Sequence, residues 1–174
     1  MKKNSEIFLV DSNTFMTPYR FYYAFDLVPA YWDMITPYIK SEQIVFLDMV
    51  RDEIGNGKDD LAEWIDSIEN IKVIPHVNGE IIAKYSEVIR YVQTCGLYKE
   101  SAVNIWAGNG IADPWLIAAA AANGYTLVTE EVGSGGLSTK NPNKSAKIPD
   151  VAAGIGLETI NGYEMMRRLN IRIN

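Results

Sequence analysis

Asp11, Glu53 and Asp113 are the residues whose types and settings point to chemistry. Asp11 ends the apolar run Ile7-Phe8-Leu9-Val10, Glu53 sits in Val50-Arg51-Asp52-Glu53-Ile54, and Asp113 opens the apolar stretch Asp113-Pro114-Trp115-Leu116-Ile117. A strand ending in an acid, an acid on a helix and an acid opening a helix can meet at one edge of a parallel sheet. Carboxylates that share a pocket repel one another unless a cation sits among them. A divalent cation held there lowers the pKa of a bound water and clamps the oxygens of a displaced phosphate. The expectation is a metal-dependent hydrolase acting on a phosphodiester.

Composition narrows the choice of metal. The chain has one cysteine, Cys95, and one histidine, His76. That leaves no basis for an internal disulfide, a thiolate zinc site or a Cys-His nucleophile. Mg2+ and Mn2+ take oxygen ligands, keep several waters and need few carboxylates. The net charge of -6 provides no basic field for nucleic acid. A length of 174 residues, 48% hydrophobic, suits a single domain over 1–174 with its own core. No apolar run is long enough for a bilayer, and Met1 to Glu6 lack the apolar core of a signal peptide. A cytoplasmic address is expected.

These acids need a scaffold. Ile7–Val10 and Tyr125–Thr129 read as strands, and Ile71–Pro75 as a strand that its proline closes. Thr17-Pro18 opens a segment with Pro18 in a first helical turn, and 19–27 and 29–40 follow as aromatic-rich helices. Asp48 caps a short helix 49–54 that Gly55-Asn56-Gly57 ends. Helical spacing continues over 59–70, 80–94, 100–107 and 113–122, the last stopped by Asn123-Gly124. A loop rich in Gly, Ser, Asn and Lys, free of acids, fills 132–149 before a last strand at 157–160 and a helix at 163–169. Strands alternating with helices imply an α/β protein: three layers, α/β/α, around a central, mainly parallel sheet.

Each acid also has a structural explanation. Asp11, Ser12 or Asn13 could make an Asx turn. Asp113 before Pro114 is a natural N-cap. Glu53 shares its helix with Asp52, and the spacing of Phe46, Val50 and Ile54 leaves Glu53 nearer the buried side. Glu130 and Glu131 follow the strand residue Thr129, and alternation along an extended chain sends only one of them into the pocket. Asp150, in Ile148-Pro149-Asp150-Val151, is a further candidate.

The motifs together resemble a known family. Phe8-Leu9-Val10-Asp11-Ser12-Asn13 looks like the opening of PIN-domain nucleases, and Val50-Arg51-Asp52-Glu53-Ile54 resembles their second motif. The stretch Ala112-Asp113-Pro114-Trp115-Leu116-Ile117-Ala118-Ala119-Ala120 is similar to the third motif, and Leu127-Val128-Thr129-Glu130-Glu131 to the fourth. The nearest type is the VapC-like toxin of a toxin–antitoxin pair, or a related PIN-like branch. The resemblance implies a PIN-like fold and an Mg2+- or Mn2+-dependent endoribonuclease. It assigns Asp11, Glu53, Asp113 and Glu131 as catalytic acids, with Asp150 assisting or replacing Glu131 as a metal ligand. Asn13 and Thr129 would orient them from behind. It further implies an RNA substrate, inhibition by a cognate antitoxin protein and, often, a homodimer. The chain departs from the family in having Glu at the fourth position and in its longer segments 19–32 and 132–149.

An acidic protein must still attract RNA. Lys140, Lys144 and Lys147 in the acid-free loop, and Arg20 after the first motif, are the candidate phosphate contacts. Gly133-Ser134-Gly135-Gly136 lacks the Gly-Lys-Ser/Thr ending of a P-loop. Two other functions compete. A phosphatase of the haloacid dehalogenase type needs Asp-x-Asp, but Asn13 stands at the third position. A PIN-like scaffold that binds protein or RNA without cutting is the other, although a decayed site has no reason to retain Asp11, Glu53 and Asp113 together.

Overall fold

The computed structural model describes residues 6–173. The reading of Met1 to Glu6 as lacking a signal core therefore falls, but for Glu6, outside the described residues. Five short strands form one sheet: β1 (Phe8–Val10), β2 (Ile44–Leu47), β3 (Val73–Ile74), β4 (Thr126–Val128) and β5 (Thr159–Ile160). Their order is β3-β2-β1-β4-β5. All pairs are parallel; Val10 is level with Phe46 on one side and Val128 on the other. The chain builds outward from β1 through β2 to β3, then crosses back to place β4 on the other flank of β1. The β1/β4 boundary is thus where the winding reverses, and crevices for ligands open there, beyond the carboxyl ends of the strands. Asp11 and Thr129 stand at that point, each directly after its strand.

The strands are apolar on both faces because helices cover both. Every residue of β1 and β2 is buried. The helices are α1 (Asn13–Phe21), α2 (Pro29–Lys40), α3 (Asp48–Gly55), α4 (Asp60–Ser67), α5 (Gly79–Thr94), α6 (Glu100–Trp106), α7 (Asp113–Asn123), α8 (Ile148–Gly154) and α9 (Gly162–Arg168). In one group α5 packs on α6, α7 and α8; in another α4 packs on α1 and α3. The three-layer PIN-like architecture expected from the motifs is the one observed, with the sheet wholly parallel. The apolar core extends from Phe8 to Leu169. No helix among the described residues is long and apolar enough to cross a membrane.

Local chemistry explains most boundaries. Asp59 caps α4 by accepting the Ala62 N–H at 3.0 Å, and Asn78 and Asn161 cap α5 and α9 in the same way. Gly124 ends α7 in the left-handed conformation, φ 67°, which glycine adopts without steric cost.

Three sequence readings need correction. Pro18 does not open a helix; it lies inside α1, which starts six residues earlier than the expected helix at Tyr19. The turn begins directly after β1, because Thr14 N–H bonds the Asp11 carbonyl and Met16 N–H the Ser12 carbonyl, at 3.0 and 2.9 Å. Strand β2 was not expected, since Phe46, Val50 and Ile54 carry a helical spacing across its boundary with α3. Asp48 is the first residue of α3, and its carboxylate accepts the N–H of Met49. The same carboxylate accepts the N–H of His76 at 3.1 Å and meets its ring Nδ1 at 2.9 Å, tying the exit of β2 to the exit of β3. The end of the long loop also forms a helix, α8, that includes Asp150.

Candidate active site

A cleft of about 550 Å3 opens at the carboxyl edge of the sheet. Asp11, Asn13, Glu53, Asp113 and Glu131 all line it, with Ile105, Trp106 and Ile111 as an apolar wall. Four carboxylates that lie far apart in sequence therefore face one space.

Asp11 is only 6% exposed. Its Oδ2 accepts a hydrogen bond from the Thr129 hydroxyl at 2.9 Å, and its backbone N–H bonds the Val128 carbonyl. Thr129 is also buried, and its hydroxyl oxygen accepts the Glu131 N–H at 3.1 Å. One hydroxyl thus fixes both the orientation of Asp11 and the turn that carries Glu131. Burial pushes the Asp11 carboxyl up to about 6; the Thr129 and Ser12 hydrogen bonds oppose this, while the charges of Glu53 and Glu131 add to it.

Asp113 is the first residue of α7, with Ala112 rather than Asp113 at the cap. The expected capping role is not observed: Pro114, with no N–H of its own, takes the next position, and the carboxylate is left to the cleft. Burial pushes Asp113 up to about 6, helped by the charges of Asp11, Glu131 and Glu53 and opposed by Lys147. Glu53 itself is exposed on α3 and reaches the cleft from its open side.

Glu131 is the most engaged of the four. Its Oε1 meets Lys147 Nζ at 2.7 Å, and its Oε2 accepts the N–H of Ile148 at 2.6 Å. It therefore holds the N-terminal turn of α8 and neutralises Lys147, whose pKa the contact raises. Glu130 points elsewhere: its Oε1 accepts the N–H of Gly162 at 2.7 Å, beside a different cavity. Asp150 does not line the cleft; its Oδ2 accepts the Ser134 N–H at 2.9 Å and holds the glycine-rich loop. Of the three candidates for the fourth acid, Glu131 is the one in the cleft.

The basic candidates separate. Arg20, Lys140 and Lys144 are exposed and do not line the cleft, whereas Lys147 is paired with Glu131. Lys144 lines a second groove, of about 330 Å3, together with Lys99, which sequence reasoning passed over. A cleft-lining residue also missed was Trp106; its only sequence signal was helical spacing, which does not distinguish a wall from a core position.

Among the described residues no three His, Cys, Asp or Glu side chains already stand as a closed metal cage. The donors in the cleft are all oxygens; Asp11 is buried and Asp113 half-buried, and the charge of Asp11 helps raise the proton affinity of Asp113. Such an open, oxygen-only set fits a hard cation that keeps several waters, as Mg2+ and Mn2+ do.

The family model described as "Domain of unknown function (DUF4411)" matches residues 8–173. No curated protein matches the chain. Solved structures share the fold. One is VapBC2 from Rickettsia felis bound to a DNA fragment from their promoter: TM-score 0.53, 17% identity, covering 89% of this chain and 98% of that one. DNA-bound VapBC from Salmonella typhimurium gives a TM-score of 0.52 at 13% identity, over 90% of this chain and 98% of that one. FitAcB from Neisseria gonorrhoeae gives 0.54 at 16% identity, over 90% and 99%.

Proposed function

The chain belongs to the DUF4411 family, and we propose that it is a metal-dependent endoribonuclease, the toxin of a toxin–antitoxin pair. The observation that carries this reading is the meeting of Asp11, Glu53, Asp113 and Glu131 in one cleft at the β1/β4 reversal. The fold shared with VapBC and FitAcB chains supports the toxin class and a protein antitoxin as partner.

Asp11 and Asp113 would hold Mg2+ or Mn2+, with Glu131 as a third ligand once Lys147 yields it and Asp150 in reserve on α8. A bound cation of this kind supplies a nucleophilic water and neutralises the charge that develops on a phosphate. The residues of the chain prepare the site. Thr129 locks the Asp11 carboxylate in one orientation, Asn13 offers an amide at the cleft edge, and Glu53 adds an acid on the open side. Ile105, Trp106 and Ile111 give the cleft one apolar wall, of which Trp106 is the buried part. Lys144 and Lys140, with Arg20, would contact the RNA backbone through sequence-independent, salt-sensitive bonds. A homodimer and a cytoplasmic setting belong to the same proposal.

Single-stranded RNA incubated with the protein and Mn2+ tests it. Cleavage should be lost in Asp11→Asn while that variant stays folded; cleavage that persists unchanged would refute the assignment. A second reading, a PIN-like binding scaffold, has one observation in its favour: Glu131 is already satisfied by Lys147 and Ile148. Expression without the neighbouring gene separates the two, since equal growth effects of wild type and Asp11→Asn would favour binding alone.

A further inference from the structure

A second cavity lies near the acidic cleft but has different chemistry. It measures about 30 Å3 and is lined by Tyr22, Tyr23, Tyr31 and Tyr163, with Glu130 and Met166. Tyr23 stacks on Tyr31 with ring centres 4.4 Å apart, while Tyr22 stands at 62° to Tyr23. The rings therefore wall the space from two directions. Their faces carry partial negative charge, which attracts cations.

Glu130 supplies a full negative charge at the same place. Its Oε1 takes the Gly162 N–H, and no lysine or arginine pairs with it among the described residues. Glu131, next to it, does have a lysine partner. Gly162 makes the arrangement possible: a Cβ there would lie 2.8 Å from Glu130 Oε1. Burial raises Tyr31 and Tyr23 above the usual range, so both rings stay neutral and Glu130 carries the negative charge at the cavity.

The geometry points to a binding site for one cationic side-chain head, a guanidinium or an ammonium, presented by a partner protein. Size favours a head group: the space holds about two waters by volume, too few for a nucleobase. The surroundings favour a polypeptide as its source. Phe21 is 72% exposed and Tyr22 61% exposed, with ring centres 6.3 Å apart at the end of α1, and Tyr163 is half-exposed beside the cavity. A free amine would leave this apolar rim uncovered, whereas a basic residue flanked by apolar ones would cover it. The site does not depend on the nuclease reading, because Glu130 does not line the acidic cleft and none of the cleft's four acids lines this cavity.

The test uses the full chain and the peptide acetyl-Ala-Leu-Arg-Leu-Ala-amide, with a copy in which citrulline replaces arginine. Citrulline keeps the shape of arginine and removes its charge. NMR titration follows the Gly162 amide, which reports directly on Glu130. The arginine peptide should shift it saturably and the citrulline peptide at least about tenfold more weakly. Glu130→Gln, which keeps an oxygen to accept the Gly162 N–H, should weaken the arginine peptide by a similar factor. Equal binding of both peptides, or undiminished binding by Glu130→Gln, would overturn the cation site. N-ethylguanidinium binding as tightly as the peptide would overturn the protein partner. Absence of any shift with the arginine peptide would overturn both. RNA cleavage by Glu130→Gln, measured in parallel, should equal wild type.

Discussion

The Thr129 hydroxyl donates to Asp11 Oδ2 at 2.9 Å across a sequence separation of 118 residues. Both residues sit one step past the ends of adjacent strands, so the sheet register itself delivers donor to acceptor. A buried carboxylate with one oxygen fixed in this way has the other oriented toward the cleft at little entropic cost.

Thr129→Ala should therefore weaken Mn2+-dependent RNA cleavage by about ten- to a hundredfold, the range typical for loss of a group that orients a metal ligand. Thr129→Ser keeps the hydroxyl and should recover most of it. A Mn2+ titration by calorimetry should show the same order of affinities. Equal activity in all three proteins would remove Thr129 from the site.

Asp11 and Asp113 make stability depend on pH in a defined direction. Both are raised to about 6 from ordinary values near 3.8. Between those values the folded chain binds more protons than the unfolded one, so stability falls as pH rises from about 4 to 6 and stays low above that. Asp11→Asn should melt higher than wild type at pH 7.5 without metal, by about 2–12 °C, corresponding to roughly 1–3 kcal/mol. The difference should vanish near pH 4. Adding Mn2+ should narrow it from the other side by stabilising wild type alone.

Lys147 restrains the proton affinity of Asp113 while occupied by Glu131. Lys147→Met removes that restraint. The acid limb of the rate–pH profile should then move to higher pH, with the plateau rate less affected. An unmoved limb would show that Asp113 does not titrate in the rate-limiting step.

Asp48 joins the ends of β2 and β3 through the His76 N–H and ring. Asp48→Ala leaves the His76 N–H and the first turn of α3 without an acceptor, at a cost of about 1–3 kcal/mol. Urea unfolding should show a lower midpoint with an unchanged slope.

The sequence made the site more legible than the scaffold. Asp11, Asp113 and Glu131 could be chosen because each adjoins a strand or helix end, where local chemistry and position coincide. Strand β2 was hidden because four apolar residues run straight into a helix whose spacing continues across the boundary. Pro18 misled for a related reason: its missing N–H marks a first turn by preference, yet N–H bonds to the Asp11 and Ser12 carbonyls already start α1 upstream. The Glu131–Lys147 pair and the tyrosine-lined cavity were out of reach, since both depend on where a long connection and a terminal helix return to the sheet. The capping expectation for Asp113 failed by one position, and that one position frees the carboxylate.

The segment between Glu131 and Ile148 is pinned at its base. Glu131 grips Lys147 and Ile148, Asp150 grips Ser134, and Asn143 makes two backbone bonds to Leu97 and Lys99, each 2.8 Å. Both sides of the exposed tip at Gly135-Gly136 are thus anchored independently of the peptide bond joining them. A protease nick at that tip should leave two pieces that travel together on a sizing column, and the same spot is where the polypeptide could be divided into halves that reassemble when coexpressed.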